Sequence, residues 1–300
     1  MRKCHRESFL CWLLLLALPL AAAGCSGEPT TASSRPATVY MGQPHPESQP
    51  PASSQAPWQA EREELYRQLA ATEAQYPAVD LREQSVGDYT ITLETYRVQE
   101  GADDLSVTYP VLHGGRDWTQ VNAILRDCAF SYEADPTVDW HKNYLRMDCE
   151  VTYHDEYIIS VLFWGYYDQM ETPDSGVSYG AMSAITLRLF DHRLIRLRDL
   201  YRTDEAFFSA VYANAEVRND NEKLVVEKEE DREHVQAVLE YIQDPRLGLA
   251  QECLYDGSLA FYFREDRVGL TLLAGRWTGG YVIVEAPREA LEPFRKHVQA

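Results

Sequence analysis

The sequence predicts an α+β fold, a largely antiparallel sheet with packed helices, divided into two subdomains. Three observations predict it. Stretches of apolar–polar alternation stand in adjacent runs, as in Tyr89–Gln99 (YTITLETYRVQ) followed by Leu105–Leu112 (LSVTYPVL). Segments with helical spacing fall between those runs and do not follow every strand, which separates the chain from a doubly wound fold. Finally, 300 residues with 45% hydrophobic side chains suffice for one or two domains and a core without staples.

The elements follow in order. Trp58, Leu65 and Leu69 mark one face of a helix that ends before Pro77. The turn Glu100-Gly101-Ala102-Asp103 joins the first two strands. After Gly114-Gly115, the stripe Trp118, Val121, Leu125 and Cys128 reads as the core face of a second helix. Leu145–His154 and Tyr157–Tyr167 form a hairpin about His154-Asp155-Glu156, and the polar run Asp168–Ser178 reads as a loop. Ala184–Phe190 and Leu194–Leu197 make a further hairpin around Asp191-His192. Phe207, Phe208, Val211 and Ala215 mark one helix, and Val235, Val238, Leu239 and Ile242 another, whose acidic first turn and solvated face come from the charged run 227–233. Leu259–Phe263, Val268–Leu273 and Tyr281–Val284 are late strands. A short helix bearing Leu291 and Phe294 closes the chain, limited by Pro293. The segment around Asp135-Pro136 divides residues 58–134 from residues 135–300.

The first 25 residues read as an export signal. Arg2, Lys3 and Arg6 precede an apolar stretch from Phe9 to Leu20, too short to span a bilayer and broken by Pro19. The ending Ala22-Ala23-Gly24-Cys25 resembles the bacterial lipobox, with Ala where Leu is usual; that resemblance implies lipidation of Cys25 as the mature N-terminus. Residues 26–57 hold Pro29, Pro36, Pro44, Pro46, Pro50, Pro51 and Pro57 among Ser, Thr, Ala and Gln, so nothing there repays the entropy of ordering. Such a linker reaches about 30 Å as a coil. The expected location is therefore outside the cell, with the chain anchored by lipid to the outer face of the membrane.

Charge narrows the partners. With 47 acidic against 28 basic residues and a net charge of −19, the chain lacks the basic footprint of a nucleic-acid binder. The same charge opposes electrostatic docking onto anionic lipid, which leaves acylation as the holder. It suits a basic extracellular protein instead. A mean hydropathy of −0.39 excludes a polytopic membrane protein.

No catalytic constellation, metal site or cofactor motif is convincing. Gly176-Val177-Ser178-Tyr179-Gly180 matches the Gly-x-Ser-x-Gly pattern, with His113-Gly114-Gly115 upstream and His234 or His297 as triad partners. A nucleophile elbow needs an apolar strand before the serine and a helix after it; a polar run precedes this one and an alternating stretch follows. A hydrolase remains the alternative function. His154-Asp155-Glu156 reads as a polar hairpin tip, since adjacent strand residues point apart. Trp164, Tyr166, Trp277 and Tyr281 are the candidate ligand-binding aromatics, against the plain reading that strand aromatics pack in cores. Beyond Cys25, Cys128, Cys149 and Cys253 allow either one disulfide, with Cys128 and Cys149 the candidate pair, or three buried thiols.

Several segments together resemble a bacterial envelope module. Tyr109-Pro110-Val111-Leu112 with Val121-Asn122-Ala123-Ile124 is similar to its N-terminal half. Val151-Thr152-Tyr153 and Ile159-Ser160-Val161 are similar to its central hairpin. LRLFDHRLIRLRDLY over Leu187–Tyr201, and Val282–Phe294 with Pro287 and Leu291, are similar to its later elements. The module is the extracytoplasmic RsiV-like domain, also found ahead of the deacetylase in PdaC-type proteins, and the resemblance covers residues 85–298. Ser178-Tyr179-Gly180-Ala181-Met182 lacks the histidine usual there, and the Asp191-His192 connection is short. The few residues before the apolar run leave no room for a sigma-factor-binding segment, and none follows for a deacetylase. The resemblance therefore implies a non-enzymatic binding module directed at peptidoglycan or at a protein acting on it.

Overall fold

The computed structural model describes residues 55–100, 103–131, 144–172, 175–218, 229–254, 259–273 and 281–298. Cys25, most of the 26–57 linker, Asp135-Pro136 and Trp277 lie outside them. The described residues belong to one compact unit, Pro50–Ala300.

The fold is α+β. Six strands form the larger sheet in chain order: β1 (Thr90–Glu100), β2 (Asp103–His113), β3 (Tyr144–His154), β4 (Ile158–Thr172), β5 (Ser175–Arg188) and β6 (Arg193–Leu194). Every neighbouring pair is antiparallel except β2 and β3, which run parallel between Asp104–Val107 and Tyr144–Met147. A parallel pair needs a crossover, and the connection here carries helix α2 (Thr119–Ala129). Gly114 (φ +87°) and Gly115 (φ +67°) turn the chain from β2 toward it in a backbone region that favours glycine. Asn122 then ties the helix to the strand, accepting from the Leu112 N–H (2.8 Å) and donating to its carbonyl (3.0 Å). Val121, Leu125 and Ala129 of α2 are fully buried against Val107, Leu145, Val161 and Phe163 on one face of the sheet.

The smaller sheet has the order β7 (Glu216–Arg218), β10 (Tyr281–Pro287), β9 (Arg267–Leu273), β8 (Phe261–Arg264), all antiparallel. A second core forms on Phe261, Leu270, Leu272, Val282 and Val284. It takes in Leu65 and Leu69 of α1 (Gln55–Thr72), Phe207 and Phe208 of α4 (Glu205–Asn214), Val238 and Ile242 of α5 (Glu229–Ile242), and Leu249 and Cys253 of α6 (Leu249–Leu254). Two further helices are single turns, α3 (Leu197–Leu200) and α7 (Arg288–Leu291). Asp204 caps α4 by accepting from the Phe207 N–H at 2.9 Å. Fully buried Arg198 holds the open C-terminal end of α1, donating to the Leu69 carbonyl at 2.7 Å and to Thr72 Oγ1 at 2.9 Å, with Tyr76 under its guanidinium at 4.2 Å. No helix among the described residues is long and apolar enough to cross a membrane.

The structure departs from sequence expectation in definite places. The polar run 168–178 is strand: β4 continues to Thr172, β5 begins at Ser175, and Asp168 pairs with Ser178. Strand pairing uses backbone groups, and polar side chains do not prevent it. The segment Leu194–Leu197 is not a full strand, because β6 stops at Leu194 and α3 starts at Leu197. Helix α1 starts at Gln55, inside the end of the expected linker. The division at residues 134/135 does not coincide with a packing boundary, since β2 pairs with β3 across it and α1 packs in the core of the smaller sheet.

Candidate functional site

The face of the larger sheet opposite α2 meets the smaller sheet and carries the candidate site. Side chains alternate along β4. Val161 and Phe163 turn into the core under α2, while Leu162, Trp164 and Tyr166 take the other face. Leu162 and Met182 are buried there with Tyr262 and Ile283 of the smaller sheet, and Trp164 and Tyr281 pack at the margin of that cluster. Tyr166, two residues beyond Trp164, is 42% exposed. The structure thus brings Trp164 and Tyr281 into one cluster and leaves Tyr166 open beside them on the same strand face. Trp277 lies outside the described residues.

Two glycines set this geometry. A β-carbon at Gly165 would stand 1.8 Å from the Arg146 carbonyl oxygen, so β3 and β4 approach as closely as they do only with glycine there. At Gly269 a β-carbon would stand 2.1 Å from Tyr262 Cζ, which means the Tyr262 ring covers the glycine across the β8–β9 pair.

Beside the aromatics, on the same face and between the two sheets, lies an ionic network. The Tyr262 hydroxyl donates to Glu285 Oε1 at 2.6 Å. Arg218 donates from Nη1 to the same carboxylate oxygen (3.4 Å) and to the Tyr262 hydroxyl oxygen (3.3 Å), and from Nη2 to Glu150 Oε2 at 2.9 Å. Arg264 bridges the same two acids, with Nη2 on Glu150 and Nε 3.8 Å from Glu285. Two carboxylates face two guanidiniums, so the charges cancel, and the network links β3 to β7, β8 and β10. Burial, together with the neighbouring Glu285, pushes the Tyr262 hydroxyl far above the ordinary tyrosine value and keeps it a donor. The alternation of β3 adds Arg146 opposite Tyr166 and Asp148 opposite Trp164. The arrangement offers an aromatic surface with charged hydrogen-bonding groups along one side.

The other candidates are placed as follows. Ser178 lies within β5, with strand backbone on both sides, so the sharp strand-to-helix turn of a nucleophile elbow is not formed. His113 Nε2 lies 2.8 Å from Thr92 Oγ1 at the surface. Asp155 builds the β3–β4 turn: Oδ1 accepts from the Tyr157 and Ile158 N–H groups at 2.8 and 2.9 Å, and Oδ2 accepts from the Tyr153 hydroxyl at 3.0 Å. Among the described residues no group of three or more His, Cys, Asp or Glu side chains could hold a metal. The bridge considered between Cys128 and Cys149 is not formed, and Cys128, Cys149 and Cys253 are free thiols. Cys128 faces Ser183 Oγ at 3.4 Å from the α2 side, and burial pushes the Cys149 and Cys253 thiols up to about 12.

Sequence reasoning named the aromatics as candidates and missed the network beside them. Its members, at 150, 218, 262, 264 and 285, are dispersed along the chain and share no spacing. One signal was present: Glu285 is an acid inside an otherwise apolar strand (YVIVEAP), and a buried acid needs partners.

No protein-family model matches the chain. No curated protein matches it either. Among the solved structures that resemble it are two DUF3298 family proteins. One is a member of the DUF3298 family from Bacteroides fragilis, 13% identical, with the match covering 71% of this chain and 96% of that one at a TM-score of 0.37. The other is a DUF3298 family protein from Pseudomonas aeruginosa, 11% identical, covering 72% and 97% at a TM-score of 0.35.

Proposed function

We propose that this chain is an exported, non-catalytic binding module, held by lipid on Cys25 at the outer face of a bacterial membrane, and that it presents Trp164, Tyr166 and Tyr281 to cell-wall glycan. The observation that carries the reading is the placement of those aromatics on one face, flanked by an ion-paired network that ties the two sheets together. Sugar rings present apolar C–H faces that pack on aromatic rings, while their hydroxyls need polar partners at the edge. Arg146 and Asp148 stand at that edge. Rigidity matters because an ordered surface loses little entropy on binding. The export signal, the proline-rich linker and the resemblance to RsiV-like modules support the location.

The test is co-sedimentation of the detergent-solubilised full chain with purified peptidoglycan. Most of the chain is expected in the pellet at low and at high salt. Replacing both Trp164 and Tyr166 by Ala should weaken binding about thirtyfold, since each aromatic contact is worth roughly 1 kcal/mol. Wild-type chain remaining in the supernatant ends the glycan reading. The net charge of −19 favours one second reading, a basic extracellular protein as partner. Capture of a cationic wall hydrolase at low salt, lost at high salt, would decide for it. The anchor is checked separately: metabolic labelling with a palmitate analogue should mark the wild type and leave Cys25→Ser unlabelled.

A further inference from the structure

A cleft of about 500 Å³ opens between the segment after α1, the β3–β4 turn, β8 and the C-terminal helix, away from the aromatic face. Arg288 lies in it, with its guanidinium 4.3 Å from the Phe263 ring centre and 5.0 Å from that of Tyr153. The one hydrogen bond given by its guanidinium to the described residues is a long one from Nε to the Arg267 carbonyl (3.4 Å), and Nη2 is shielded from water without a partner. Among the arginines whose side chains are described, Arg288 is the one that is not exposed and has no carboxylate partner. The partly or fully buried Arg188, Arg198, Arg218, Arg264 and Arg267 all have one. A second cation on the cleft wall, Arg82, makes no direct ion pair and lies over Tyr157 at 5.9 Å, near enough to Glu156 to help lower that carboxyl. Arg295 and Lys296 there are engaged, with Glu292 (3.6 Å) and Glu73 (2.5 Å), and His297 also lines the cleft.

An arginine stays charged at any accessible pH, and a desolvated charge without a counter-ion is costly; the two rings offset only part of that cost. On a chain with a large excess of acids, a recessed guanidinium without a carboxylate leaves room for one supplied from outside. We propose that this cleft binds a small organic monocarboxylate, with Arg288 holding the carboxylate and Tyr153, Tyr157 and Phe263 packing the body of the ligand. The guanidinium fork matches a carboxylate in shape. Asp80, Asp155 and Glu292 on the same walls disfavour a dianion. The volume admits a ring-bearing molecule with room to spare. This inference does not rest on the glycan reading, since it uses a different region and a different group.

The experiment is isothermal titration of the full chain with D-glucuronate, benzoate and acetate, alongside D-glucose and inorganic phosphate. At least one ring-bearing carboxylate is expected to bind, with D-glucose silent and phosphate weaker. R288Q should lower that affinity at least tenfold and R82Q several-fold, while R97Q, which removes an exposed charge elsewhere on the protein, should leave it unchanged. R82Q alters an exposed residue, so the test stands even where R288Q fails to fold. Binding by none of the three carboxylates overturns the proposal. So does phosphate binding more tightly than the carboxylates, or an equal loss in R97Q and R82Q.

Discussion

Two regions of this protein each place arginine guanidiniums against tyrosine and phenylalanine rings or carboxylates, and they differ in how completely the charges are answered. Beside the aromatics, Arg218 and Arg264 share Glu150 and Glu285, with the Tyr262 hydroxyl joining the set. In the cleft, Arg288 has two rings and a weak backbone contact. The first arrangement is what holding two sheets together requires: every charge is answered from within, and removing one leaves others stranded. In the second, one bonding direction goes unanswered by the protein. The difference separates a group that serves the fold from one that is open to a ligand, though both are conjunctions of Arg with aromatics.

The comparison predicts unequal costs of substitution. The largest belongs to Glu285→Ala. That carboxylate is nearly buried, and its loss leaves the Tyr262 hydroxyl without this acceptor and takes one of the shared carboxylates from both guanidiniums. A cost of about 3 kcal/mol is expected, at the low end for a broken buried pair because Glu150 remains. The urea midpoint of the full chain measures it, and a change below the error of the method would mean that the network does not hold the sheets.

Tyr262→Phe comes next, at about 1.5 kcal/mol for a hydrogen bond to a charged acceptor, since the ring still covers Gly269. It also has a pH signature. The folded state holds the Tyr262 hydroxyl above its unfolded value of 10.0, burial being the main cause. The unfolded chain therefore loses this proton first as pH rises, so the contribution of Tyr262 to stability is intact below pH 10 and declines above it. The wild type should lose stability above that pH more steeply than the Phe variant. Parallel curves would show that Tyr262 ionises equally easily in both states.

The sequence made these two regions legible to different degrees. Alternation in Tyr89–Gln99 and the stripe Val121, Leu125, Cys128 report burial of one face, and that suffices to find β1 and α2 within a residue or two. Trp164 and Tyr166 could be named as candidates because aromatics two apart on a strand share a face. The same logic failed over residues 168–178, where polar composition suggested a loop and the backbone is paired. It also missed β7 and α6, which at three and six residues are too short to show a period. Charge pairing was not legible at all. Glu150 and Arg218 meet across 68 positions, and no local pattern records that Arg288 lacks an acid while Arg188 has both Asp191 and Glu83. Long-range electrostatics is a property of the folded contacts, and it decides which cation is structural.

The smallest expected effect gives the sharpest test. Arg288→Met keeps an unbranched chain between Phe263 and Tyr153 and removes the charge. If Arg288 were structural in the way Arg218 is, its loss would cost as much as the loss of Glu285. The described contacts argue otherwise: no carboxylate is stranded by the change, the Arg267 carbonyl loses only a 3.4 Å contact, and a desolvated cation disappears from the cleft wall. Against this stands the cation–π attraction, about 1–2 kcal/mol where the cation is desolvated, which methionine's own contacts with the rings partly replace. The two nearly cancel, so unfolding of Arg288→Met is expected within about 1 kcal/mol of the wild type in the absence of ligand. With a bound carboxylate present the gap should widen, because ligand stabilises only the chain that retains the guanidinium. A loss near 3 kcal/mol without ligand would place Arg288 with the structural network and erase the contrast between the two regions.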